Sequence, residues 1–159
     1  MNLLNKELIK DICNISIEAG QIINKFYKSE NFVILKNDKS PLTKADIESN
    51  NYIINSLNKL NSQIPILTEE KLVDWNIRKK WNKYWLVDPL DGTKEFINQN
   101  DEFTVNIALI ENNEPILGVI YAPAISLLYY ASKNYGSYKI TCKKKIDSLS
   151  NSQRINTNI

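Results

Sequence analysis

The first part of the chain carries hydrophobic residues at the three- and four-residue steps of an amphipathic helix. One such series runs from residue 3 to about residue 27, and a second begins at Thr43-Lys44-Ala45-Asp46 and continues to Leu60. Between them, the short apolar run Phe32 to Leu35 is typical of a strand. We therefore predict two long helices with one short strand between them.

The second part of the chain follows the two-residue repeat of half-buried strands. Apolar and polar residues alternate from Phe103 to Ile110, and three further short runs follow at Ile116 to Tyr121, Leu127 to Ala131 and Tyr135 to Thr141. This pattern predicts an antiparallel meander. Together with the helices it predicts an α+β fold, in which two long helices pack on a mainly antiparallel sheet.

The most informative stretch, residues 85–96, lies between these two parts. Its apolar start at residues 85–87 indicates a buried strand. Pro89 has no N–H to donate to a neighbouring strand, so we predict that strand pairing stops near Asp88. Two carboxylates, Asp88 and Asp91, would then lie together at the end of this strand.

The residue types after this strand suit a metal site beside an anion-binding turn. Hard cations such as Mg²⁺ bind carboxylate and carbonyl oxygens, which Asp88, Asp91 and the Leu90 carbonyl supply. Gly92 lets the backbone approach a ligand closely, and Thr93 is a suitable N-cap for a short helix whose first N–H groups bind an anion. The alternative is an ordinary turn whose aspartates serve only turn formation. The spacing alone leaves both interpretations open.

Two acidic residues upstream are further candidates for this site. Asp46 lies in the first turn of the second predicted helix, where an acid also stabilises the helix dipole without any other function. Glu69 follows the apolar run Ile64 to Leu67, and it would reach Asp88 if that run forms the neighbouring strand. Residues 75–81 would then connect the two strands as a helix. We expect the tryptophans of this connection to be core or packing aromatics rather than residues that stack on a ligand.

The composition of the chain excludes some classes of active site, chiefly because histidine is absent. The chain has 159 residues, of which 43% are hydrophobic, and this suits one globular domain. It contains no histidine, which excludes His-dependent triads and His-ligated zinc sites. Its formal net charge of +2 gives no reason to expect nucleic acid as a partner.

The cysteines and the first residues indicate a reduced, cytoplasmic protein. Cys13 and Cys142 stand far apart in sequence, which excludes a zinc ribbon and makes a disulfide framework unexpected. Lys6 and Glu7 lie where a secretory signal would be apolar. The longest uncharged run, residues 116–131, falls short of the roughly 20 residues that a spanning helix needs, so no transmembrane segment is predicted.

The chain changes character after residue 141. Residues 142–159 contain a run of three lysines, Lys143 to Lys145, followed by polar residues with few apolar anchors. We expect a domain over residues 1–141 and a disordered polar tail over residues 142–159. The lysines are expected to form a solvated face, with a weak peripheral contact to anionic lipid, at the cytoplasmic side of the inner membrane, as the alternative. The sequence predicts no oligomeric state.

Several blocks of this sequence, in order, resemble one known family. The stretch Asp88-Pro89-Leu90-Asp91-Gly92-Thr93-Lys94-Glu95-Phe96 resembles the metal-binding signature of the inositol monophosphatase superfamily. The continuation to Ile97 and the blocks at residues 40–46, 64–70, 102–110 and 115–123 are similar to its branch of 3'(2'),5'-bisphosphate nucleotidases, the CysQ type. This resemblance implies a Mg²⁺-dependent phosphatase, with two or more ions, that converts adenosine 3',5'-bisphosphate into AMP and phosphate. It also implies a place in sulfur metabolism, where that nucleotide is a by-product.

The resemblance also assigns expected roles. The implied metal ligands are Glu69, Asp88, the Leu90 carbonyl and Asp91, with Asp88 bridging two ions. Thr93, paired with Asp46, would orient or deprotonate the attacking water, and Glu69 would join them as a catalytic residue. The backbone amides of Gly92 and Thr93 would hold the substrate phosphate.

The sequence also departs from the family pattern. Family members are longer, and their second half, an α/β layer, carries a further ligating aspartate in a Trp-Asp pair that has no counterpart in these 159 residues. If the chain stops before that second α/β domain, we expect low activity or a need for high Mg²⁺. The alternatives are an inositol monophosphatase-type sugar phosphatase, against which Lys94-Glu95-Phe96 favours the nucleotidase, and a catalytically inactive remnant.

Overall fold

The computed structural model of the chain describes residues 5–29, 33–35 and 41–156. The first residues of the first predicted helix, Phe32 of the first predicted strand and residues 157–159 lie outside these ranges. The helices are α1 (Lys6–Phe26), α2 (Lys44–Leu60), α3 (Trp75–Arg78) and α4 (Thr93–Ile97). The strands are β1 (Val33–Leu35), β2 (Pro41–Thr43), β3 (Ile66–Thr68), β4 (Lys83–Asp91), β5 (Thr104–Glu111), β6 (Glu114–Ala122), β7 (Leu127–Ser132), β8 (Gly136–Thr141) and β9 (Gln153–Ile155).

Two long helices cover one face of a seven-stranded sheet, which confirms the predicted α+β fold. The strands follow one another in chain order from β3 to β9, and β3 and β4 are parallel while the remaining neighbours are antiparallel. Strands β1 and β2 form a separate antiparallel pair. The predicted meander corresponds to β5 through β8.

The core lies between this sheet and the apolar faces of α1 and α2. The side chain of Asn5 caps α1 by accepting from the Leu8 N–H at 2.8 Å. Alternate residues of the central strands point at the helices and are buried, namely Trp85, Val87, Val105, Ile107, Leu109, Leu117, Val119 and Tyr121. The period-2 pattern therefore identified the buried face of the sheet correctly.

The other face of the sheet is open in the part of the chain that the structure describes. Leu86 of β4, Ile120 of β6 and Tyr129 of β7 point away from the helices, with exposed fractions of 43%, 48% and 38%. The part of this face over β4, β5 and β6, together with the end of β3, forms the floor of a cleft.

Three expectations about local structure were wrong. Strand β4 does not stop at Asp88 but continues through Pro89 to Asp91, because a bulge accommodates a residue that lacks an N–H. The connection between β3 and β4 holds only the four-residue helix α3. Trp75 is 61% exposed, so it is not a core residue. Trp81 does pack, against Tyr84, at 5.9 Å between ring centroids.

The segment after residue 141 folds back onto α1 over the residues that the structure describes. Asn14 and Ile146 exchange two hydrogen bonds, at 3.0 and 2.8 Å, and Ile146 and Leu149 pack against the core. Lys145 forms an ion pair with Glu18 at 2.8 Å. This order differs from the expected disordered tail, because two apolar side chains and one asparagine anchor a mostly polar segment. The division of the chain at residue 141 stays a prediction.

In the described residues, no helix combines the length and the apolar character needed to cross a bilayer. The longest uncharged run, residues 116–131, belongs to β6, β7 and the turn between them. Cys13 and Cys142 are both buried free thiols. Burial raises the pKa of each thiol, so neither has the character of a reactive thiolate.

Candidate active site

A bulge in β4 places Asp88 and Asp91 on the same face of the sheet. In a regular strand, residues three positions apart point to opposite faces. Here Asp88 pairs with Asn106 and Asp91 pairs with Thr104, so β4 contains one more residue than β5 between the two pairs. Pro89 and Leu90, both buried, thus lie opposite the single residue Val105. Both aspartates therefore line the cleft on the open face.

Glu69 reaches the same end of the cleft from the neighbouring strand. Strand β3 runs parallel to β4 with Thr68 opposite Val87, and the Glu69 N–H donates to the Val87 carbonyl at 3.1 Å. Parallel strands bring their carboxyl ends to the same edge, so Glu69 follows β3 at the level where Asp88 follows Val87. The condition under which Glu69 would reach Asp88, namely that these two strands are neighbours, is met.

The surroundings of Asp88 at this end of the cleft disfavour its ionisation. Burial, followed by the charges of Glu69 and Asp91, raises the pKa of Asp88 to about 7. A divalent cation among these groups would reverse this effect, because its own charge favours the ionised carboxylates. The electrostatics of this end of the cleft therefore favour an added positive charge.

Asp46 and Thr93 join the start of α2 to the start of α4. The Thr93 hydroxyl lies 3.1 Å from Asp46 Oδ1 and 3.1 Å from the Leu90 carbonyl, and it donates its single proton to one of them at a time. The other oxygen of Asp46 accepts from the backbone N–H of Thr43 at 2.7 Å and from the Thr43 hydroxyl. Burial raises the pKa of Asp46, while its hydrogen bonds to Thr43 and Thr93 act against this rise. The helix start therefore does face the β4 turn.

Two further polar residues of α2 are buried against the strand ends that carry the acids. The Ser49 hydroxyl donates to the carbonyl of Pro89 at 3.0 Å, and Thr68 donates to the Asn50 side chain at 2.6 Å. Ser49 thereby holds the bulge between Asp88 and Asp91, and Asn50 holds the residue before Glu69. Both lie three or four positions after Asp46, on the same side of the helix.

Gly92 occupies a backbone conformation that excludes other residues. Its φ of 88° lies in the left-handed region, and a Cβ at this position would lie 2.6 Å from the carbonyl oxygen of Glu102. Gly92 is the N-cap of α4 and Thr93 is its first residue, which corrects the expectation that Thr93 is the cap. This shift leaves the Thr93 hydroxyl pointing back at Asp46 rather than capping its own helix.

The cleft has a volume of about 780 Å³ and two chemically different parts. Its acidic end contains Glu69, Asp88 and Asp91, and Asn106 donates to Asp91 at 3.3 Å. The rest is mainly apolar and runs across the open face of β4, β5 and β6. Arg78, at the end of α3, also lines it. The cleft thus combines an oxygen-rich end, an apolar floor and one guanidinium.

The donor set at the acidic end fits a hard cation. It consists of carboxylate and carbonyl oxygens, and the Leu90 carbonyl keeps a second lone pair when Thr93 donates to it. Within residues 5–29, 33–35 and 41–156, no group of three acidic or cysteine side chains stands close enough to enclose a metal by itself. Mg²⁺ usually takes only one or two carboxylates and completes its octahedron with carbonyls, waters and substrate oxygens. The residues present therefore suit Mg²⁺ and not zinc.

The structure places the residues singled out in the sequence in and next to one end of the cleft, and their chemical roles stay predictions. Glu69, Asp88 and Asp91 line the cleft. Asp46 and the Leu90 carbonyl both contact the Thr93 hydroxyl at the adjoining start of α4, which Gly92 caps. Sequence reasoning missed Ser49, Asn50, Asn106 and Arg78. A signal did exist for Ser49 and Asn50, because their spacing from Asp46 places polar residues on the buried side of an amphipathic helix.

Comparisons with known proteins agree with this fold. The profile of the inositol monophosphatase family matches residues 4–158, and the chain belongs to this family. It is 45% identical over 151 residues to the 3'(2'),5'-bisphosphate nucleotidase CysQ of Buchnera aphidicola subsp. Acyrthosiphon pisum, with 92% of this chain and 57% of that protein covered. It is 37% identical over 159 residues to the CysQ of Haemophilus influenzae, with 99% of this chain and 58% of that protein covered.

A solved structure shows the same architecture. The crystal structure of CysQ from Bacteroides thetaiotaomicron, a bacterial member of the inositol monophosphatase family, matches with a TM-score of 0.83 and 36% sequence identity. The match covers 99% of this chain and 60% of that chain. The chain therefore spans less than two thirds of the length of the relatives it matches.

Proposed function

We propose that this chain supports a Mg²⁺-dependent phosphatase reaction that removes the 3'-phosphate of adenosine 3',5'-bisphosphate and releases AMP and phosphate. The observation that carries the proposal is the Thr93 to Asp46 contact, which lies beside three carboxylates at the end of a substrate-sized cleft. The names of the relatives support the choice of substrate, because both curated relatives described above are 3'(2'),5'-bisphosphate nucleotidases. A cytoplasmic location and a place in sulfur metabolism belong to the same proposal.

The proposed cation ligands are Glu69, Asp88, Asp91 and the Leu90 carbonyl, and the proposal includes two or more ions. The family is metal-dependent, and the oxygen-only donor set of this chain suits Mg²⁺. When bound, such ions supply positive charge that stabilises the phosphoryl oxygens and favours ionisation of an attacking water. The raised pKa of Asp88 supports this assignment, because burial and then the charges of Glu69 and Asp91 oppose its ionisation, and a bound cation would favour it.

Thr93 and Asp46 are proposed to position the attacking water and to receive its proton. When the Thr93 hydroxyl donates to Asp46, its lone pairs are available to a water on the cleft side. As the water oxygen bonds to phosphorus, its proton passes to Thr93 while the Thr93 proton passes to Asp46. Burial raises the pKa of Asp46 and makes that carboxylate a better proton acceptor. The bond from phosphorus to the 3'-oxygen breaks, and that oxygen takes a proton from solvent.

The backbone at Gly92 and Thr93 is proposed to bind the phosphate being hydrolysed. Gly92 lacks a Cβ and adopts the left-handed conformation, so the amides that follow it are accessible from the turn. The glycine is also packed against the Glu102 carbonyl, which fixes the turn. The phosphate would therefore lie between these amides and the carboxylate end of the cleft.

A substrate panel tests the proposal. Phosphate release is measured in Mg²⁺ from adenosine 3',5'-bisphosphate and from inositol 1-phosphate, with Thr93→Val as the control for contaminating phosphatases. We expect kcat/KM for the nucleotide to exceed that for the sugar phosphate by about tenfold or more, and turnover of both to be lost in the control. Preference for inositol 1-phosphate would indicate a sugar phosphatase instead. No release from either by a folded chain would indicate a phosphate-binding domain without activity.

A further inference from the structure

The cleft carries a single positive charge among the described residues that line it. Its charged lining consists of Glu69, Asp88, Asp91 and Arg78. The three acids belong to the proposed hydrolytic end. Arg78 lies outside that group, at the end of α3, and has no role in the reaction proposed above.

The connection between β3 and β4 presents Arg78 in a restricted orientation. The side chain of Asp74 caps α3 by accepting from the Asn76 N–H at 2.8 Å. The guanidinium carbon of Arg78 lies 5.1 Å from the centroid of the Trp75 ring, within cation–π distance. Trp75 is 61% exposed, so its ring serves as a platform for Arg78 rather than as part of the core. This stack already restricts the Arg78 side chain, so less conformational entropy is lost when the side chain binds a ligand.

The negative charges in the cleft disfavour binding of a second substrate phosphate unless a separate positive group binds that phosphate. The proposed substrate carries two phosphates, and the cations held by the acidic end neutralise only the one being hydrolysed. The other phosphate would enter a mainly apolar cleft that already contains three carboxylates. A guanidinium is suited to this task because its planar donors bind two phosphate oxygens at once.

We propose that Arg78, held by its stack on Trp75, binds the phosphate that is not hydrolysed and makes the cleft selective for doubly phosphorylated nucleotides. This inference rests on the proposed function and adds a specificity-determining residue to it. Arg78 acts on substrate affinity, and Trp75 acts as a positioning residue through Arg78.

The test compares two nucleotides that differ by one phosphate, adenosine 3',5'-bisphosphate and adenosine 3'-monophosphate. Values of kcat and KM are measured for the parent chain, Arg78→Gln, Arg78→Lys and Trp75→Leu. Binding is measured by calorimetry in a Thr93→Val background, where turnover does not interfere. Lys80→Gln is the matched control, because Lys80 is an exposed cation two residues further along that does not line the cleft.

We expect Arg78→Gln to raise KM and Kd for the bisphosphate by about tenfold or more while kcat stays unchanged, since a charge-assisted bond is lost from binding. Values for the monophosphate should not change. Arg78→Lys should recover part of the loss, Trp75→Leu should show a smaller loss of the same kind, and Lys80→Gln should match the parent. Circular dichroism confirms that each variant is folded.

Two outcomes overturn the inference. The first is that Arg78→Gln loses affinity for both nucleotides equally. The second is that Arg78→Gln keeps the parent's preference for the bisphosphate. Failure of the proposed function alone would appear as Arg78-dependent binding of the bisphosphate without phosphate release. Failure of the inference alone would appear as phosphate release whose preference for the bisphosphate survives Arg78→Gln. A parent chain that binds neither nucleotide contradicts both.

Discussion

The hydroxyl of Thr93 lies 3.1 Å from the carboxylate of Asp46, a residue 47 positions away in sequence, and this contact joins the starts of two helices. In the proposed reaction this contact directs the attacking water. We therefore predict that Thr93→Val lowers kcat by about 100-fold or more, in the range of general acid–base contributions, while KM changes little. Steady-state phosphate release measures the effect.

Thr93→Ser is the matched variant, because it keeps the hydroxyl and removes only a methyl group. It should retain most of the parent's kcat. If Thr93→Val and Thr93→Ser are equally active, the hydroxyl has no part in the reaction and the role given to Asp46 through it is wrong.

The Ser49 hydroxyl fixes the bulge between the two β4 aspartates by donating to the Pro89 carbonyl. Ser49→Ala should lower the free energy of unfolding by about 1 to 2 kcal/mol, because a buried carbonyl loses its partner. It should also weaken Mg²⁺ binding, since Asp88 and Asp91 lie on either side of that carbonyl. Urea unfolding and calorimetric Mg²⁺ titration measure the two effects.

Ser16→Ala provides the comparison for this prediction. Ser16 is equally buried and bonds to the Ile12 carbonyl within α1, so it has no contact with the β4 bulge. We expect it to affect stability and leave Mg²⁺ affinity unchanged. Equal effects of the two variants on Mg²⁺ affinity would mean that Ser49 acts only through general stability.

The raised pKa of Asp88 predicts how stability depends on pH without metal. Between pH about 4 and about 7 the native state keeps a proton on Asp88 that the unfolded state has lost, so the native state binds more protons and stability falls as pH rises. The contribution is about 1 to 3 kcal/mol. Asp88→Asn should therefore unfold at higher urea than the parent at about pH 7.5 in a chelator, and at similar urea near pH 4. If the parent unfolds at higher urea than Asp88→Asn at the higher pH, the raised pKa of Asp88 is contradicted.

Gly92 is required by its backbone conformation and by the closeness of Glu102. Gly92→Ala should destabilise the chain by about 2 to 4 kcal/mol, because a Cβ meets a backbone oxygen at 2.6 Å at a φ of 88°. Gly118→Ala is the control, since a Cβ there meets no atom within 4 Å. Thermal unfolding of both variants decides the point, and equal melting temperatures would show that the turn relaxes without cost.

The sequence predicted the elements whose hydrophobic period is long and regular. The three- and four-residue hydrophobic spacing along α1 and the two-residue alternation along β5 each identified the element and its buried face. Both patterns arise because each element packs one face against the core. The pairing of β3 with β4 was considered only as a condition for Glu69 to reach Asp88, because carboxylates after two apolar runs do not by themselves fix the strand order.

What the sequence did not predict depends on contacts between distant segments. Pro89 suggested the end of a strand, whereas the bulge held by Ser49 lets pairing resume at Asp91. Trp75 was expected to be a core or packing aromatic, but it is 61% exposed, because hydrophobicity alone does not say which side of a connection faces the core. Residues 142–156 looked unanchored, because the partner of Ile146 is Asn14, at the other end of the chain.

The central claim is that the acidic end of the cleft is a Mg²⁺ site that supports hydrolysis of a phosphomonoester. The most direct measurement is phosphate release from adenosine 3',5'-bisphosphate across a Mg²⁺ titration, with Asp88→Asn as the comparison and melting temperature followed in the same samples. We predict turnover that saturates with Mg²⁺, a parallel rise in melting temperature, and loss of both in Asp88→Asn. Turnover that needs no Mg²⁺, or that survives in Asp88→Asn, would contradict the account.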